Sequence, residues 1–433
     1  MHARMAACSP RPTLRSTVLA GDCSGAGLPT AAQTRRGYLT GPMGDVVDTI
    51  GPNSGQQRRP RLLVVSHPAV LGVNQELYRE LDGRGWSVSM VVPSHWRNEY
   101  SGGRMTPQAL AGMEASLNPV PIVLAGRPQR HLYLARCRAI CLRLGIEVAF
   151  LEAEPYALAA SQWGFTLSRL GIPFGVQCYE NIDRPLPGPV RWLRSRVLRE
   201  AAFVAARSDT AGRLAAAWGA KGEVGFAPPA VPGWEQLPTP HDHPFTVGYA
   251  GRLVPSKGLG DLLGAVRKLE APVELVLIGN GELRGELEGQ PIPGSRVSVI
   301  DGLRHEEMAS GYAQLDVLVL PSHTTASWKE QFGRVIIEAL WCGVPVVGSD
   351  SGEIPWLIGL TGGGLVFREG DTEMLAARLR ELRDDPALRA RLARAGRAAV
   401  QRLFTVSAAT DPLERLLLGA YRRSGARAPA RRS

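Results

Sequence analysis

The sequence contains no run of eighteen or more apolar residues, although apolar residues make up 44% of its 433 positions. A helix that crosses a bilayer needs about 20 such residues in succession, so we expect no membrane-spanning segment. An apolar fraction of this size is ordinary for a packed globular chain, and 433 residues are too many for one ordinary core. The sequence therefore predicts two domains of similar size.

Cysteine is also scarce, with six residues in the chain. These six are scattered and form no Cys-x-x-Cys pair and no zinc-ligand spacing. This usage fits a reducing compartment. His67 and His131 have no partners at metal spacing, so we assign them to structural or surface positions, with His131 opening a helix. The first residues lack the apolar core of a signal peptide. We therefore expect a cytoplasmic protein with no metal and no cofactor.

The formal net charge of +10 is concentrated in three segments. Residues 1–59 carry +4, residues 184–207 carry +5 and residues 422–433 carry +5, which leaves the remainder at −4. Such local basicity argues against a nucleic-acid binder and leaves room for peripheral contact with an anionic membrane at its inner face. Residues 189–199 alternate Arg with Val, Trp and Leu at helical spacing. This helix either rests on anionic lipid or covers a sheet with its arginines outward.

Alternating apolar runs and helical spacings predict two α/β domains with doubly wound sheets. Their predicted strands are residues 61–66, 87–92, 120–125, 148–151, 174–179 and 203–208, then 245–251, 273–279, 297–301, 317–321 and 344–349, with a helix at 74–81. The predicted organisation is a disordered leader (1–59, with Met1 or Met43 as the true start), a first domain (60–238), a second domain (239–405), a helix at about 406–422 packing back on the first domain, and a disordered basic tail (423–433). A Pro-rich stretch at 228–240 is the predicted linker. Since ligands of such sheets bind at the carboxyl ends of the strands, we expect the site between the two domains.

Glu330 and Glu338 stand eight positions apart, across a Phe-Gly turn that leads into an apolar helix. A helix that begins near Gly333 directs unpaired N–H groups and the positive end of its dipole at a ligand, which favours a phosphate. At about 1.5 Å rise per residue, Glu338 lies roughly 7 to 8 Å along the helix, the reach from a diphosphate to a ribose. We expect glycine at 333 because a side chain there would crowd the ligand.

Four motifs, in this order and spacing, resemble the donor half of retaining family 4 glycosyltransferases, the group 1 glycosyltransferases. They are Gly-Arg-Leu-Val-Pro-Ser-Lys-Gly at 251–258, Ile-Gly-Asn-Gly at 278–281, the segment 330–338, and Gly-Val-Pro-Val-Val-Gly-Ser-Asp at 343–350. Residues 328–335 and 351–355 look typical of bacterial members. The resemblance is specific in residues 245–370 and looser in the first domain. It implies the GT-B fold, in which two facing Rossmann-like domains hold the active site in their cleft.

The resemblance implies that Arg252 and Lys257 bind the donor diphosphate and stabilise charge on the departing phosphate. Two fixed cations would lower the barrier because negative charge grows there in the transition state. It also implies that Glu330 holds the donor sugar and Glu338 the ribose. The other donor-side residues that it implies are Gly251, Gly279, Gly281, Arg304, Phe332, Gly333, Arg334 and Val335.

The acceptor side departs from the family pattern. Gly72 is the one glycine left of a Gly-Gly loop, and Tyr179, Glu180 and Asn181 stand where many relatives have an active-site histidine. Glu180 either orients the acceptor hydroxyl or faces solvent at a strand end. Glu154, with Glu152 before it, ends a strand that faces the cleft and is a candidate acceptor contact.

The resemblance thus implies an enzyme that transfers a sugar with retention from a nucleotide diphosphate sugar, UDP-linked by preference and GDP-linked as the second choice. The acceptor is a hydroxyl of a lipid-linked intermediate, a glycan or a natural product. Two alternatives remain. A sugar-nucleotide epimerase of similar fold would need a His and acid set that is not evident, and a non-catalytic nucleotide-binding homologue would be expected to lose one of the four charged donor residues.

Overall fold

The computed structural model describes residues 59–97, 103–234, 244–269, 272–288 and 292–425. The predicted leader up to residue 58 and the tail from residue 426 lie outside these ranges. Two parallel sheets of seven and six strands organise the described residues. The first sheet contains β1 (Arg61–Ser66), β2 (Ser87–Pro93), β5 (Leu117–Val120), β8 (Val148–Glu152), β9 (Phe174–Cys178), β10 (Phe203–Ala206) and β11 (Glu223–Phe226).

The second sheet is built in the same way from runs rich in Val, Leu and Ile, which are buried on both faces in its central strands and partly buried at its two edges. Its strands are β12 (Thr246–Ala250), β13 (Glu274–Ile278), β14 (Arg296–Ile300), β15 (Val317–Leu320), β16 (Val346–Ser349) and β17 (Gly364–Phe367). Parallel strands covered on both faces are expected to be continuously apolar rather than alternating. The spacing of these short apolar runs therefore explains the architecture.

Helices cover both sheets. Those that follow the strands of the first sheet are α1 (Glu76–Gly83), α2 (Cys137–Leu144), α3 (Leu158–Leu170), α4 (Gly188–Glu200) and α5 (Asp209–Ala217). The second sheet carries α6 (Leu259–Arg267), α7 (Arg284–Glu288), α8 (Met308–Ala313), α9 (Arg334–Trp341), α10 (Ile354–Thr361), α11 (Thr372–Asp384) and α12 (Pro386–Leu403). None of the helices among the described residues combines the length and the apolarity that a bilayer crossing requires.

The last helix, α13 (Val406–Arg423), returns to the first sheet and packs on α1 and against strands β8 to β11. Glu414 fixes it there, because its carboxylate accepts hydrogen bonds from Arg84 Nη1 at 2.8 Å and from Trp86 Nε1 at 2.9 Å. Arg84 also bonds Asp411 at 2.7 Å. The chain therefore forms the first sheet and then the second, and its last helix packs back on the first.

The strand order shows where each sheet reverses direction. The first sheet runs β11-β10-β9-β8-β1-β2-β5, and the second runs β14-β13-β12-β15-β16-β17. Consecutive strands step outward in opposite directions from β1 and β8 in one sheet, and from β12 and β15 in the other. Ligands of open α/β sheets bind at such reversal points, outside the carboxyl ends of the strands.

Some boundaries differ from the sequence-based prediction. The strand expected at 120–125 ends at Val120, and two-residue strands follow instead, with β6 (Ile122–Val123) pairing antiparallel with β7 (Leu132–Tyr133). A second such pair joins β3 (Trp96–Arg97) to β4 (Arg104–Met105). The helix predicted at 74–81 begins with a 3-10 turn, Gly72–Gln75, before α1. The edge strands β11 and β17 were not predicted.

The described part of the predicted linker is packed against the second domain. Val231 donates its backbone N–H to Phe404 at 2.7 Å, and Trp341 Nε1 donates to the carbonyl of Trp234 at 3.2 Å. Val231 is 2% exposed. Residues 235–240, the rest of that stretch, lie outside the described residues.

Candidate active site

An ion pair lies at the reversal point of the second sheet. Lys257 follows β12 and Glu330 follows β15, and the Lys257 Nζ lies 2.6 Å from Glu330 Oε2. Ser322 Oγ donates to the same oxygen at 2.9 Å, and the ammonium also lies 4.5 Å from the centroid of the Trp328 ring. Both charged side chains are nearly nine-tenths buried. The structure therefore holds one cation and one anion in fixed positions beside the carboxyl ends of the two central strands.

Helix α9 starts beside this pair. Its N-cap residue, Gly333, has a φ of +76° and provides no side-chain cap. A β-carbon at this residue would lie 3.0 Å from Ile336 Cδ1 and 3.2 Å from Leu320 Cδ2. The left-handed backbone and the neighbouring side chains therefore require glycine at this position. Glycine was also expected here from the sequence, but for another reason, namely that a side chain would crowd the ligand. The first N–H groups of α9 are left for a ligand.

The side chains of Phe332 and Val335, on either side of Gly333, pack against the core of the second domain. Phe332 is 3% exposed, and its ring centroid lies 6.0 Å from that of Phe404 and 6.4 Å from that of Trp356. Val335 is half-buried against the second core. Their side chains anchor the start of α9, so their contribution to a ligand is limited to the backbone.

Glu338 lies on the buried side of α9 and is 7% exposed. Tyr312 donates its hydroxyl to Glu338 Oε2 at 2.8 Å, and Arg334 Nε lies 3.0 Å from Glu338 Oε1. Burial raises the pKa of the Glu338 carboxyl, against the opposing effects of Arg334 and Tyr312. The alternative that Glu338 is an idle exposed helix residue is therefore wrong.

The predicted glycines Gly251, Gly279 and Gly281 bring two turns together. A β-carbon on Gly279 would lie 1.9 Å from the Gly251 carbonyl oxygen, and one on Gly281 would lie 2.3 Å from the Leu253 carbonyl oxygen. Backbone bonds join the same turns, from Gly251 N to Ile278 O and from Leu253 N to Asn280 O, both at 2.9 Å. These glycines shape the floor of the site through this close approach.

Two of the three predicted donor-side arginines, Arg252 and Arg304, are exposed. Arg252 follows β12, and its carbonyl accepts the Tyr249 hydroxyl at 2.7 Å. The side chain of Arg304 is 77% exposed and lies 2.7 Å from the Glu307 carboxylate at the rim of the sheet. Only Arg252 therefore lies on the turn that also carries Lys257.

The reversal point of the first sheet opens into a cavity of about 850 Å³. His67 follows β1 and Glu154 follows β8, and both line it, as does Gln331 of the second domain. Burial lowers the pKa of His67 to about 3, with a smaller contribution from His131, so the imidazole is neutral. Because Gln331 follows Glu330 directly, the cavity adjoins the Lys257 and Glu330 pair.

Glu154 and Glu180 form the polar floor of this cavity. Tyr179 donates its backbone N–H to Glu154 Oε1 at 2.6 Å, whereas Glu154 Oε2 has no hydrogen-bond partner among the described residues. Burial raises the pKa of Glu154 to about 8. Glu180 is 4% exposed and accepts the Tyr156 hydroxyl at 3.0 Å. The alternative that Glu180 faces solvent is therefore wrong.

The other acceptor-side predictions lie close by. Asn181 donates from Nδ2 to the Glu330 carbonyl at 2.8 Å and so links the two domains. Tyr179 lines both this cavity and a smaller one of about 170 Å³, which Arg334 also lines. Gly72 opens the 3-10 turn whose residues border the smaller cavity.

Glu152 belongs to a structural network. It accepts hydrogen bonds from Ser66 and Tyr78, both at 2.6 Å, and lies 3.3 Å from Arg207 Nη2. Arg207 is 4% exposed and also bonds Gln177 at 2.5 Å. Glu152 also lines the 850 Å³ cavity, so its contact with the acceptor stays a prediction beside its role in satisfying a buried arginine.

Sequence reasoning missed three residues of the site. His67 lines the acceptor-side cavity and is not simply structural, while Ser322 and Tyr312 hold the two donor-side carboxylates. Only Ser322 had a usable signal, since it follows a strand end directly. His131 opens no helix, because it lies in the turn before β7 with its ring 5.1 Å from Trp96, in agreement with a structural role. The described residues contain no group of three His, Cys, Asp or Glu able to hold a metal ion.

Two parallel sheets with facing reversal points define the GT-B architecture. Solved structures agree: a sucrose-phosphate synthase from Thermosynechococcus elongatus aligns with a TM-score of 0.59 at 20% identity, over 84% of this chain and 99% of that one. Anabaena HepE in complex with UDP aligns with a TM-score of 0.59 at 16% identity, over 83% and 99%. The predicted fold class is confirmed.

Sequence comparison gives matches in the second half of the chain. Residues 235–399 match the family model described as glycosyl transferases group 1. A Corynebacterium glutamicum GDP-mannose-dependent monoacylated alpha-(1-6)-phosphatidylinositol monomannoside mannosyltransferase is 33% identical over 156 residues, 35% of this chain and 41% of that protein. A Xylanimonas cellulosilytica D-inositol 3-phosphate glycosyltransferase is 33% identical over 204 residues, 46% of each. The matches span less than half of these relatives.

Proposed function

We propose that this protein transfers a sugar from a nucleotide diphosphate sugar to a hydroxyl acceptor, with retention of the anomeric configuration. The observation that carries the proposal is the arrangement of Lys257, Glu330 and Glu338 around the open start of α9. A helix N-terminus and a fixed ammonium suit a diphosphate, and carboxylates on either side suit two sets of hydroxyl groups.

The donor diphosphate would lie over the start of α9, between Lys257 and the exposed Arg252. As the bond to the sugar breaks, negative charge grows on the phosphate oxygen, and a cation already in position stabilises this transition state more than the ground state. Glu338 would accept hydrogen bonds from the ribose hydroxyls. Glu330 would hold the sugar while Ser322 and Lys257 fix its carboxylate.

The acceptor would enter the 850 Å³ cavity. Its hydroxyl would approach the sugar from the side of Gln331, with Glu154, Glu180 and the neutral His67 available to bind its polar groups. No histidine occupies the position that the family pattern led us to expect, so the proton of the acceptor hydroxyl would pass to the departing phosphate on the same face. This route gives retention without a protein base.

The nucleotide remains a choice between two classes. A UDP-sugar is favoured by the fold relatives crystallised with UDP and UDP-glucose, whereas the GDP-mannose-dependent relative supports a GDP-sugar. The described residues offer no arrangement that favours the epimerase alternative. A non-catalytic homologue would not need to keep all four of Arg252, Lys257, Glu330 and Glu338.

The test is donor consumption. Purified protein is incubated with UDP-glucose, GDP-mannose or ADP-glucose, and release of the free nucleoside diphosphate is followed for the wild type, for Glu330→Gln and for the exposed control Glu286→Gln. We expect slow release from one nucleotide class, reduced about a hundredfold or more in Glu330→Gln and unchanged in the control. No release from any donor, or equal release by Glu330→Gln, would refute the proposal.

A further inference from the structure

Helix α4 exposes a tryptophan and buries an arginine. Trp192 is 56% exposed, whereas Arg194, two residues later, is 7% exposed. The Arg194 guanidinium stacks 4.1 Å from the centroid of Trp218 and lies 3.8 Å from the Asp183 carboxylate, which accounts for its burial. The alternative in which this helix covers a sheet, with its apolar stripe inward and its arginines outward, therefore fails at these two residues. Trp192 has a ring contact with Phe165 and nevertheless stays more than half exposed.

The surroundings of Trp192 carry charge of one sign. At about 100° per residue, Arg196 and Arg199 lie within about 40° of Trp192 around the helix and Arg191 lies about 100° away, and all three are exposed. We call these three arginines with Trp192 the α4 face. Arg191 and Arg199 make no ion pair with any residue that the structure describes. The one acid of the helix, Glu200, pairs with Arg196 and accepts Ser168 Oγ at 2.7 Å.

Helix α2 also exposes an apolar side chain beside arginines. Helix α3 packs between α2 and α4 on one side of the first sheet, and Phe165 of α3 supports Trp192 with ring centroids 6.2 Å apart. On α2, Leu142 is 58% exposed, and the adjacent Arg143 and nearby Arg138 are exposed. Exposed apolar side chains among unpaired arginines thus recur on the same side of the domain.

We propose that the α4 face docks on an anionic lipid bilayer. An indole prefers the boundary between headgroups and acyl chains, and each arginine near an anionic surface contributes attraction that fades within a Debye length. The residues of the α4 face line neither of the two cavities described above and lie along one helix, which suits a planar surface better than a peptide or a nucleic-acid strand. Arginine stems can also lie along the bilayer while their guanidinium groups contact phosphates.

Docking in this orientation would place the acceptor-side cavity beside the lipid. The segment that leads into α4 contributes Arg184, Leu186 and Pro187 to the cavity wall, and Val190 and Arg194 of α4 itself line the same cavity. This second step rests on the proposed function: the acceptor would be an amphiphile held in the bilayer, whose hydroxyl-bearing head reaches the floor at Glu154. An apolar rim leading to a polar floor matches such a molecule.

The experiment is vesicle sedimentation of the full chain. Vesicles of phosphatidylcholine alone are compared with vesicles that contain about 30 mol% phosphatidylglycerol, at about 0.1 M and about 0.5 M salt. The test variants are Trp192→Ala and the double reversal Arg191→Glu with Arg199→Glu. The matched control reverses Arg391 and Arg394, two exposed arginines of α12. Thermal stabilisation by UDP and GDP is measured on every variant.

We expect binding to the anionic vesicles only, weakened by salt, reduced about tenfold or more by the α4 reversal and clearly less by the control. Trp192→Ala should also weaken binding, with nucleotide stabilisation unchanged. Equal binding to neutral vesicles, or equal losses in the α4 and α12 reversals, would overturn docking by this face. Lipid binding that depends on α4 in a protein that no nucleotide stabilises would support docking while refuting the proposed function.

Discussion

At the residue scale, the central feature is that Lys257 and Glu330 already contact each other across 2.6 Å in a site that is nearly closed to solvent. A pair fixed in this way needs no reorganisation when charge develops beside it, which is how electrostatic catalysis gains its advantage. Ser322 keeps one Glu330 oxygen in place and leaves the other for a ligand. The ion pair thus holds both the cation and the proposed sugar-binding carboxylate in position before a donor binds.

Replacing Lys257 by Met should lower donor turnover about 10² to 10³-fold, because the growing phosphate charge loses its nearest cation. Turnover is measured as nucleoside diphosphate release at saturating donor. The control Lys268→Met removes an exposed ammonium that pairs with Glu373 and should leave the rate unchanged. Similar rates for wild type and Lys257→Met would remove this lysine from the mechanism.

Glu154 predicts a pH dependence of stability. Its pKa is raised from 4.5 to about 8 by burial, so between these values the folded state binds more protons than the unfolded state. The free energy of unfolding should then fall as pH rises, by up to about 1.4 kcal/mol per pH unit from this residue. Urea denaturation at pH 5 and pH 8 should show a smaller decrease for Glu154→Gln than for wild type. Parallel behaviour of the two proteins would contradict this assignment.

At the scale of elements, the start of α9 carries the phosphate site because of one backbone conformation. Gly333→Ala should destabilise the protein by about 1 to 2 kcal/mol, since alanine is strained at a φ of +76°, and should weaken nucleotide binding. Gly359→Ala in α10 is the matched control, because its site is open and its φ is not positive. That change should be neutral or stabilising. Chemical denaturation measures the free energy of unfolding of both variants. Equal destabilisation by the two substitutions would contradict the claim that the backbone at Gly333 requires glycine.

Some elements could be predicted from local sequence patterns and others could not. Strands such as β1 and β12 are apolar runs buried on both faces, and they were predicted close to their observed bounds. The edge strands β11 and β17 escaped because they are short and only partly buried. The two-residue strands depend on contacts between loops, which no local period records. Helix α4 was predicted as a helix, but the burial of Arg194 depends on Trp218, which is distant in sequence.

At the scale of the whole molecule, a hydrogen bond and a ring contact join the two domains near the site. Asn181 donates to the Glu330 carbonyl at 2.8 Å, and Phe226 meets Trp356 with ring centroids 5.5 Å apart. We predict that a bound donor draws the domains together, because its diphosphate lies on one domain while the acceptor cavity lies mainly on the other. Small-angle scattering should show a smaller radius of gyration with saturating donor. Identical curves with and without donor would exclude closure.

The alternation of apolar runs and helical spacings was sufficient to predict two doubly wound domains with a site between them. The GT-B arrangement and the donor-side roles of the residues that follow β12 and β15 were implied by the resemblance of four motifs to a known family. The hydrogen bonds of Ser322, Tyr312 and Asn181 were not, since they depend on how separate loops meet. The acceptor cavity was equally hidden, because its lining comes from both domains.

The most direct test of the donor site is thermal stabilisation by UDP and GDP, measured for wild type, Glu338→Gln, Glu338→Ala and Glu286→Ala. Glutamine keeps an oxygen for Tyr312 and preserves packing, so Glu338→Gln separates lost binding from misfolding. The account predicts that one nucleotide raises the melting temperature of wild type and of Glu286→Ala, with a much smaller rise in both Glu338 variants. Equal stabilisation of all four proteins, or stabilisation of none, would contradict the assignment of the site.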